Sequence, residues 1–137
     1  MTSLGEIRAR ETIDMISKRR YYAREVEEEK KKGLREGEHY YTLYWGYSDV
    51  GGGDRRWMGS AKARSIEEVE DMAKNEILTE EGRKNIWDVD GEGDEWTIIQ
   101  INTEDEERTE YIEIKKADEE KPDTSIFGDK TFWDLTN

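Results

Sequence analysis

The chain has 137 residues, 42% of them charged and 33% hydrophobic, a formal net charge of -13 and no Cys. That length suits one domain around a single core, and the absence of Cys excludes disulfides, thiolate catalysis and Cys-based zinc or iron sites. Five Trp and seven Tyr each bury a large area, so a compact core is attainable despite the low apolar content.

Charge is unevenly placed. Residues 1 to 37 hold 10 Lys/Arg and 8 Asp/Glu, whereas residues 38 to 137 hold 12 basic and 27 acidic residues, a net of -15. Such a body disfavours binding to duplex DNA, which depends on neutralising phosphates, and favours attraction to the basic surfaces of other proteins. No apolar run approaches the roughly 18 residues of a membrane span, and MTSLGEIRARETID lacks the apolar stretch of a signal peptide. The expected location is therefore the cytoplasm, with no membrane partner. Abundant Glu, Lys and Arg beside only five Asn and Gln read as selection for heat.

In chain order, Ser3 and Glu6 form a capping box that opens a long helix running toward Lys32. EEEKKKG pairs Glu27 to Glu29 with Lys30 to Lys32 and stops at Gly33. The helix has a thin apolar stripe through Ile13, Ile16 and Ala23, with a second line through Met15, Tyr22 and Val26. HYYTLYWGY then alternates: Tyr41, Leu43, Trp45 and Tyr47 share one face of a strand, and Tyr40, Thr42 and Tyr44 share the other. VGGGD turns into RRWMGSAKA, where Trp57, Gly59, Ala61 and Ala63 form the in-phase set, small enough to admit a helix closely. Ser65 and Glu68 form a second capping box before Ile66, Val69, Ala73 and Ile77, and Thr79 begins a short further turn. DVDGEGDE at 88 to 95 reads as a loop, followed by strands WTIIQIN at 96 to 102 and TEYIEIKK at 109 to 116.

These elements predict an α+β fold: a long N-terminal helix over residues 1 to 37, and a core at 38 to 117. The core is a four-stranded, mainly antiparallel sheet in ββαββ order with a helix on one face. An acidic linker and aromatic tail occupy 118 to 137, all within one domain.

No catalytic, metal or cofactor motif survives a close reading. Asp88, Asp90 and Glu92 alternate and Gly93 sits where a calcium loop turns sharply, but the twelfth position, which must supply a bidentate carboxylate, is Ile99; an acidic hairpin loop is the favoured reading. Glu113 and Lys115 on one strand have the form of the ExK arrangement of metal-dependent nucleases, a triplet expected by chance in so Glu- and Lys-rich a chain. GGGD lacks the Lys and Ser/Thr of a phosphate loop. His39 has no nucleophile suggested beside it.

Binding features are more numerous. KRRYYAR places Arg19, Arg20 and Arg24 among aromatics, either as solvated helix surface or as contacts for an acidic patch. Tyr40 and Tyr44 lie on the outer sheet face, where Tyr suits a binding surface, or pack beneath the long helix. The tail IFGDKTFWDL carries Ile126, Phe127, Phe132, Trp133 and Leu135 beyond the last strand. It either folds back over an open sheet edge or docks on another protein through aromatic anchors. These ten residues are the expected partner-binding set.

In length, acidity, freedom from Cys and heat-adapted composition the chain resembles the small inhibitors with which Thermus phages bind bacterial RNA polymerase. The resemblance implies a non-enzymatic regulator, without cofactor, that occupies the polymerase or its sigma factor and inhibits or redirects it. It carries over no site residue. A DNA mimic that blocks a restriction or CRISPR nuclease is the alternative, and a metal-dependent nuclease using Glu113 and Lys115 the second alternative.

Overall fold

In the computed structural model the described residues are 12–13, 32–116 and 132–136. The aromatic alternation of HYYTLYWGY produces β1 (His39–Asp49), which turns through Gly51 into β2 (Gly52–Ala63) as a long antiparallel hairpin. Ser65 then caps α1 (Ile66–Met72): its hydroxyl accepts the Glu68 amide at 3.3 Å, and the Glu68 carboxylate accepts the Arg64 amide at 3.1 Å. The helix continues as a π-helical turn, Ala73–Ile77, closed by the Leu78 amide donating to the Ala73 carbonyl at 2.9 Å. α2 (Glu80–Lys84) is capped by Thr79, whose hydroxyl accepts the Gly82 amide at 2.9 Å. Three antiparallel strands follow, β3 (Ile86–Glu92), β4 (Trp96–Asn102) and β5 (Thr109–Lys116), and then β6 (Phe132–Asp134).

The strands form one six-stranded mixed sheet in the order β3-β4-β5-β1-β2-β6, with β6 parallel to β2 and all other pairs antiparallel. This overturns the expected long helix on a four-stranded sheet. The first five residues of DVDGEGDE, read as a loop, are strand and belong to β3 at one edge, and the tail adds β6 at the other. Nearly all of the segment assigned to the long helix lies outside the described residues. Its described piece contradicts one continuous helix, because Ile13 makes an antiparallel bridge with Leu78 and the Thr79 amide donates to the Thr12 carbonyl at 2.7 Å.

The helical face of the sheet holds the core. Tyr41, Leu43, Trp45, Ala61, Ala63, Ile99, Ile101, Ile112, Ile114 and Trp133 lie against Ile66, Val69, Met72, Ala73 and Ile77. The small Ala61 and Ala63 stand on β2, one of the strands that α1 contacts, as their size predicts. Trp57, expected in phase with these alanines, lies on the opposite face instead. Leu43 pairs with Gly59 and Tyr44 with Trp57, so Met58 is an extra, bulged residue that enters the core in Trp57's place. The opposite face has its own cluster of Tyr44, Trp57 and Phe132, with Tyr40 packed against it. There Tyr111 lies directly over Gly46, where a Cβ would come within 2.2 Å of the Tyr ring.

Candidate functional site

β3 is the outermost strand at its end of the sheet and pairs only with β4 among the described residues. It forms because Ile86 and Val89 fall opposite Ile101 and Ile99, the two core residues of β4. Ile86 pairs with Ile101 and Asp88 with Gln100, which leaves Trp87 as a bulge. Trp87 is 53% exposed and Val89 39% exposed, large values for apolar side chains two residues apart. Asp88, Asp90 and Glu92 alternate with them and form one row on the other face, roughly 6.6–6.8 Å between neighbours for a strand rise of about 3.3–3.4 Å per residue.

The hairpin that presents this row is anchored by Asp94. Its carboxylate accepts the Ile66 amide at 2.7 Å, at the start of α1, and the Tyr41 hydroxyl at 2.9 Å, and lies 3.2 Å from the Lys116 ammonium. Burial works against ionisation of Asp94, but the Ile66 amide, the Tyr41 hydroxyl and Lys116 outweigh it, so its pKa is lowered. Burial and then the Asp94 charge push the Tyr41 phenol up. The acidic residues of the calcium-like loop thus divide into two roles, one capping a helix and the rest facing solvent.

Two further elements add charge beside β3. Gly82 packs α2 against the backbone of Thr12, where a Cβ would meet the Thr12 carbonyl at 2.5 Å, and this places Glu80 and Glu81 near the start of β3. The Asn102 amide donates to the Asn85 carbonyl at 2.9 Å, joining the end of β4 to the residue before β3. Between them runs a polar groove of about 220 Å³ lined by Thr12, Glu81, Asn85, Asn102, Thr103 and Glu104. The β4–β5 turn continues with Asp105, Glu106 and Glu107, held by the Thr103 hydroxyl donating to the Asp105 carbonyl and Asp105 accepting the Glu107 amide. Residues 80 to 107 therefore carry eleven acidic and two basic side chains, a net of -9 against -13 for the whole chain.

The opposite sheet face holds Glu113, which the nuclease reading needs as a metal ligand. Both of its oxygens are engaged: one accepts the Trp96 indole N–H at 2.7 Å, the other an Arg55 guanidinium N–H at 2.8 Å. Arg55 in turn lies 4.0 Å above the Tyr44 ring. Among the described residues no three His, Asp or Glu side chains are grouped to hold a metal ion.

The expected partner-binding residues are distributed as follows. Phe132 and Trp133 are both 0% exposed, and Leu135 packs against the core. Ser60 to Lys62 pair with Phe132 to Asp134, the Leu135 amide donates to the Lys62 carbonyl at 2.9 Å, and Lys62 and Asp134 lie 3.5 Å apart. The tail's end is therefore a strand of the fold, and its aromatics are part of the interior. Tyr44 is buried, and half-buried Tyr40 meets Phe132 edge to face at 6.3 Å. Ile126, Phe127, Arg19, Arg20 and Arg24 lie outside the described residues.

Sequence reasoning missed the buried charges Arg108 and Glu110, 3% and 0% exposed. The Arg108 Nε donates to Glu110 at 3.0 Å, the Thr12 hydroxyl donates to the other Glu110 oxygen at 2.6 Å, and the guanidinium stacks 3.9 Å from the Tyr47 ring. The signal was present, since Glu110 falls in phase with Ile112 and Ile114 on the core face of β5. It also missed Val89, inside the segment read as loop, and Trp87, the residue just before that segment. No helix among the described residues is long and apolar enough to cross a membrane. Compared with protein-family models, curated proteins and solved structures, the chain matches none.

Proposed function

We propose that the protein is a non-catalytic regulator that binds a larger assembly through the acidic edge of its sheet. The partner surface is basic and handles nucleic acid, with bacterial RNA polymerase or its sigma factor as the first candidate. The observation that carries this reading is the gathering of eleven acidic side chains against two basic ones in residues 80 to 107, beside two exposed apolar residues on an outer strand. Charge of this density steers encounter with a basic surface, and an exposed indole supplies the kind of anchor that holds an interface once formed.

The test is binding of the chain to purified bacterial RNA polymerase, as core enzyme and as holoenzyme. A variant with Asp90→Asn, Glu92→Gln, Glu104→Gln, Glu106→Gln and Glu107→Gln changes only exposed side chains. At least tenfold weaker binding by this variant is expected; equal affinity, or no binding by the unaltered chain, overturns the reading. The row of Asp88, Asp90 and Glu92 favours a second reading, a mimic of the DNA backbone directed at a nuclease channel. In that case the variant loses affinity for the nuclease, duplex DNA competes with the protein, and Trp87→Ala has little effect.

A further inference from the structure

We infer that β3 accepts an extended basic segment of its partner as a seventh strand of the sheet, an inference that rests on the acidic-binder reading. A terminal strand leaves the backbone groups of its outer side without a strand partner, and addition of a peptide strand is a common use of such an edge. The two edges of this sheet are not equivalent. β6 is three residues long and two of them, Phe132 and Trp133, are buried. β3 is seven residues long, with Trp87 and Val89 through Glu92 exposed.

The occupant follows from charge and alternation. Two β3 strands pairing edge to edge bring carboxylate rows together on one face, so a second copy of this chain is disfavoured. An incoming strand whose Lys or Arg residues lie beside Asp88, Asp90 and Glu92 turns its intervening side chains to the other face, where Val89 is exposed. The bulge at Trp87 ends regular pairing on that side, so the complementary segment is about five residues, basic and apolar by turns. Carboxylates and a bulge are also devices that keep an edge from aggregating. A half-exposed indole at the bulge works against that purpose, whereas it suits contact with a partner.

The probe is the capped peptide acetyl-Lys-Val-Lys-Val-Lys-amide, with two analogues, one N-methylated on both Val and one on the second and third Lys. Neither modification alters charge, and in a strand alternate amides point to opposite edges. Binding to the full chain is followed by amide chemical shifts and hydrogen exchange. Shifts confined to Trp87 through Glu92 and their β4 partners are expected, with at least a tenfold loss of affinity for one analogue and little change for the other. Equal binding of all three peptides, or shifts centred on β6, overturns strand addition, as does failure of the parent peptide to bind. Polymerase binding, and its loss in the acid-neutralised variant, is measured separately, so strand addition can fail while the broader reading stands.

Discussion

Arg108 and Glu110 show how a chain this charged keeps ionised groups inside. Glu110 is fully buried and answers Arg108 on one oxygen and Thr12 on the other. Removing one member of a buried pair leaves an uncompensated charge, whereas replacing both with apolar groups removes the desolvation cost as well. Arg108→Met is therefore expected to destabilise the fold by about 3–5 kcal/mol, and the Arg108→Met, Glu110→Leu double variant by far less; urea unfolding of the three proteins measures both. Glu38 is a second buried carboxylate, 4% exposed, and lies 3.3 Å from the Arg35 guanidinium. The Arg35 amide, donating to it at 2.8 Å, chiefly holds its pKa down at about 2 against the opposing effect of burial, helped by the Thr136 hydroxyl and the Arg35 guanidinium. Because the folded pKa is depressed, this stabilisation is complete above the ordinary value of 4.5 and fades as pH falls toward 2. Thermal melts of the native chain and Glu38→Gln are expected to differ most above pH 4.5 and to converge near pH 2. A constant gap across that range contradicts the assignment.

At the scale of elements, four of the six strands, β1, β2, β4 and β5, and the capped helices were legible. The alternation of β1, β4 and β5 and the Ser65–Glu68 and Thr79 caps appear in the structure where their patterns place them. β3 was not legible because its sequence is mostly Asp, Glu and Gly, residues with poor strand propensity. It is a strand because β4 offers a paired ladder and Ile99 and Ile101 to lie beside. β6 was not assignable either, since a three-residue strand has no period to read; its position comes from pairing with Ser60 to Lys62. Trp133 is completely buried there, so Trp133→Ala is expected to cost about 3–5 kcal/mol, read by urea unfolding. A change under about 1 kcal/mol contradicts a structural role for β6, since a fully buried Trp cannot be removed so cheaply.

Across the whole molecule, charge is sorted along the sheet. One edge is closed by a short strand with buried aromatics, and the other gathers most of the net negative charge around an exposed Trp. Attraction between that edge and a basic surface is screened over roughly 8–10 Å at ordinary salt, so if the proposed function holds, affinity for polymerase measured across a salt series is expected to fall as salt is raised, and less steeply for the acid-neutralised variant. The tail's end does not supply aromatic docking, because Phe132 and Trp133 are inside the protein. Trp87, 53% exposed, takes that place: in the same salt series Trp87→Ala is expected to weaken binding at all salt concentrations without altering the slope, since an indole contributes area rather than charge.

The sequence alone determined that this chain is acidic, free of Cys-based chemistry, built on paired antiparallel strands and capped by particular Ser and Thr residues. Those properties are local, depending on composition, on alternation within a strand and on residues three positions apart. Tertiary structure alone decided which edge is open, that the terminal aromatics complete the sheet, and that the loop-like acids form a strand. Each of those outcomes depends on pairing between segments distant in sequence, such as Phe132 with Ser60 or Ile99 with Val89, and no local pattern encodes which partner a strand will find.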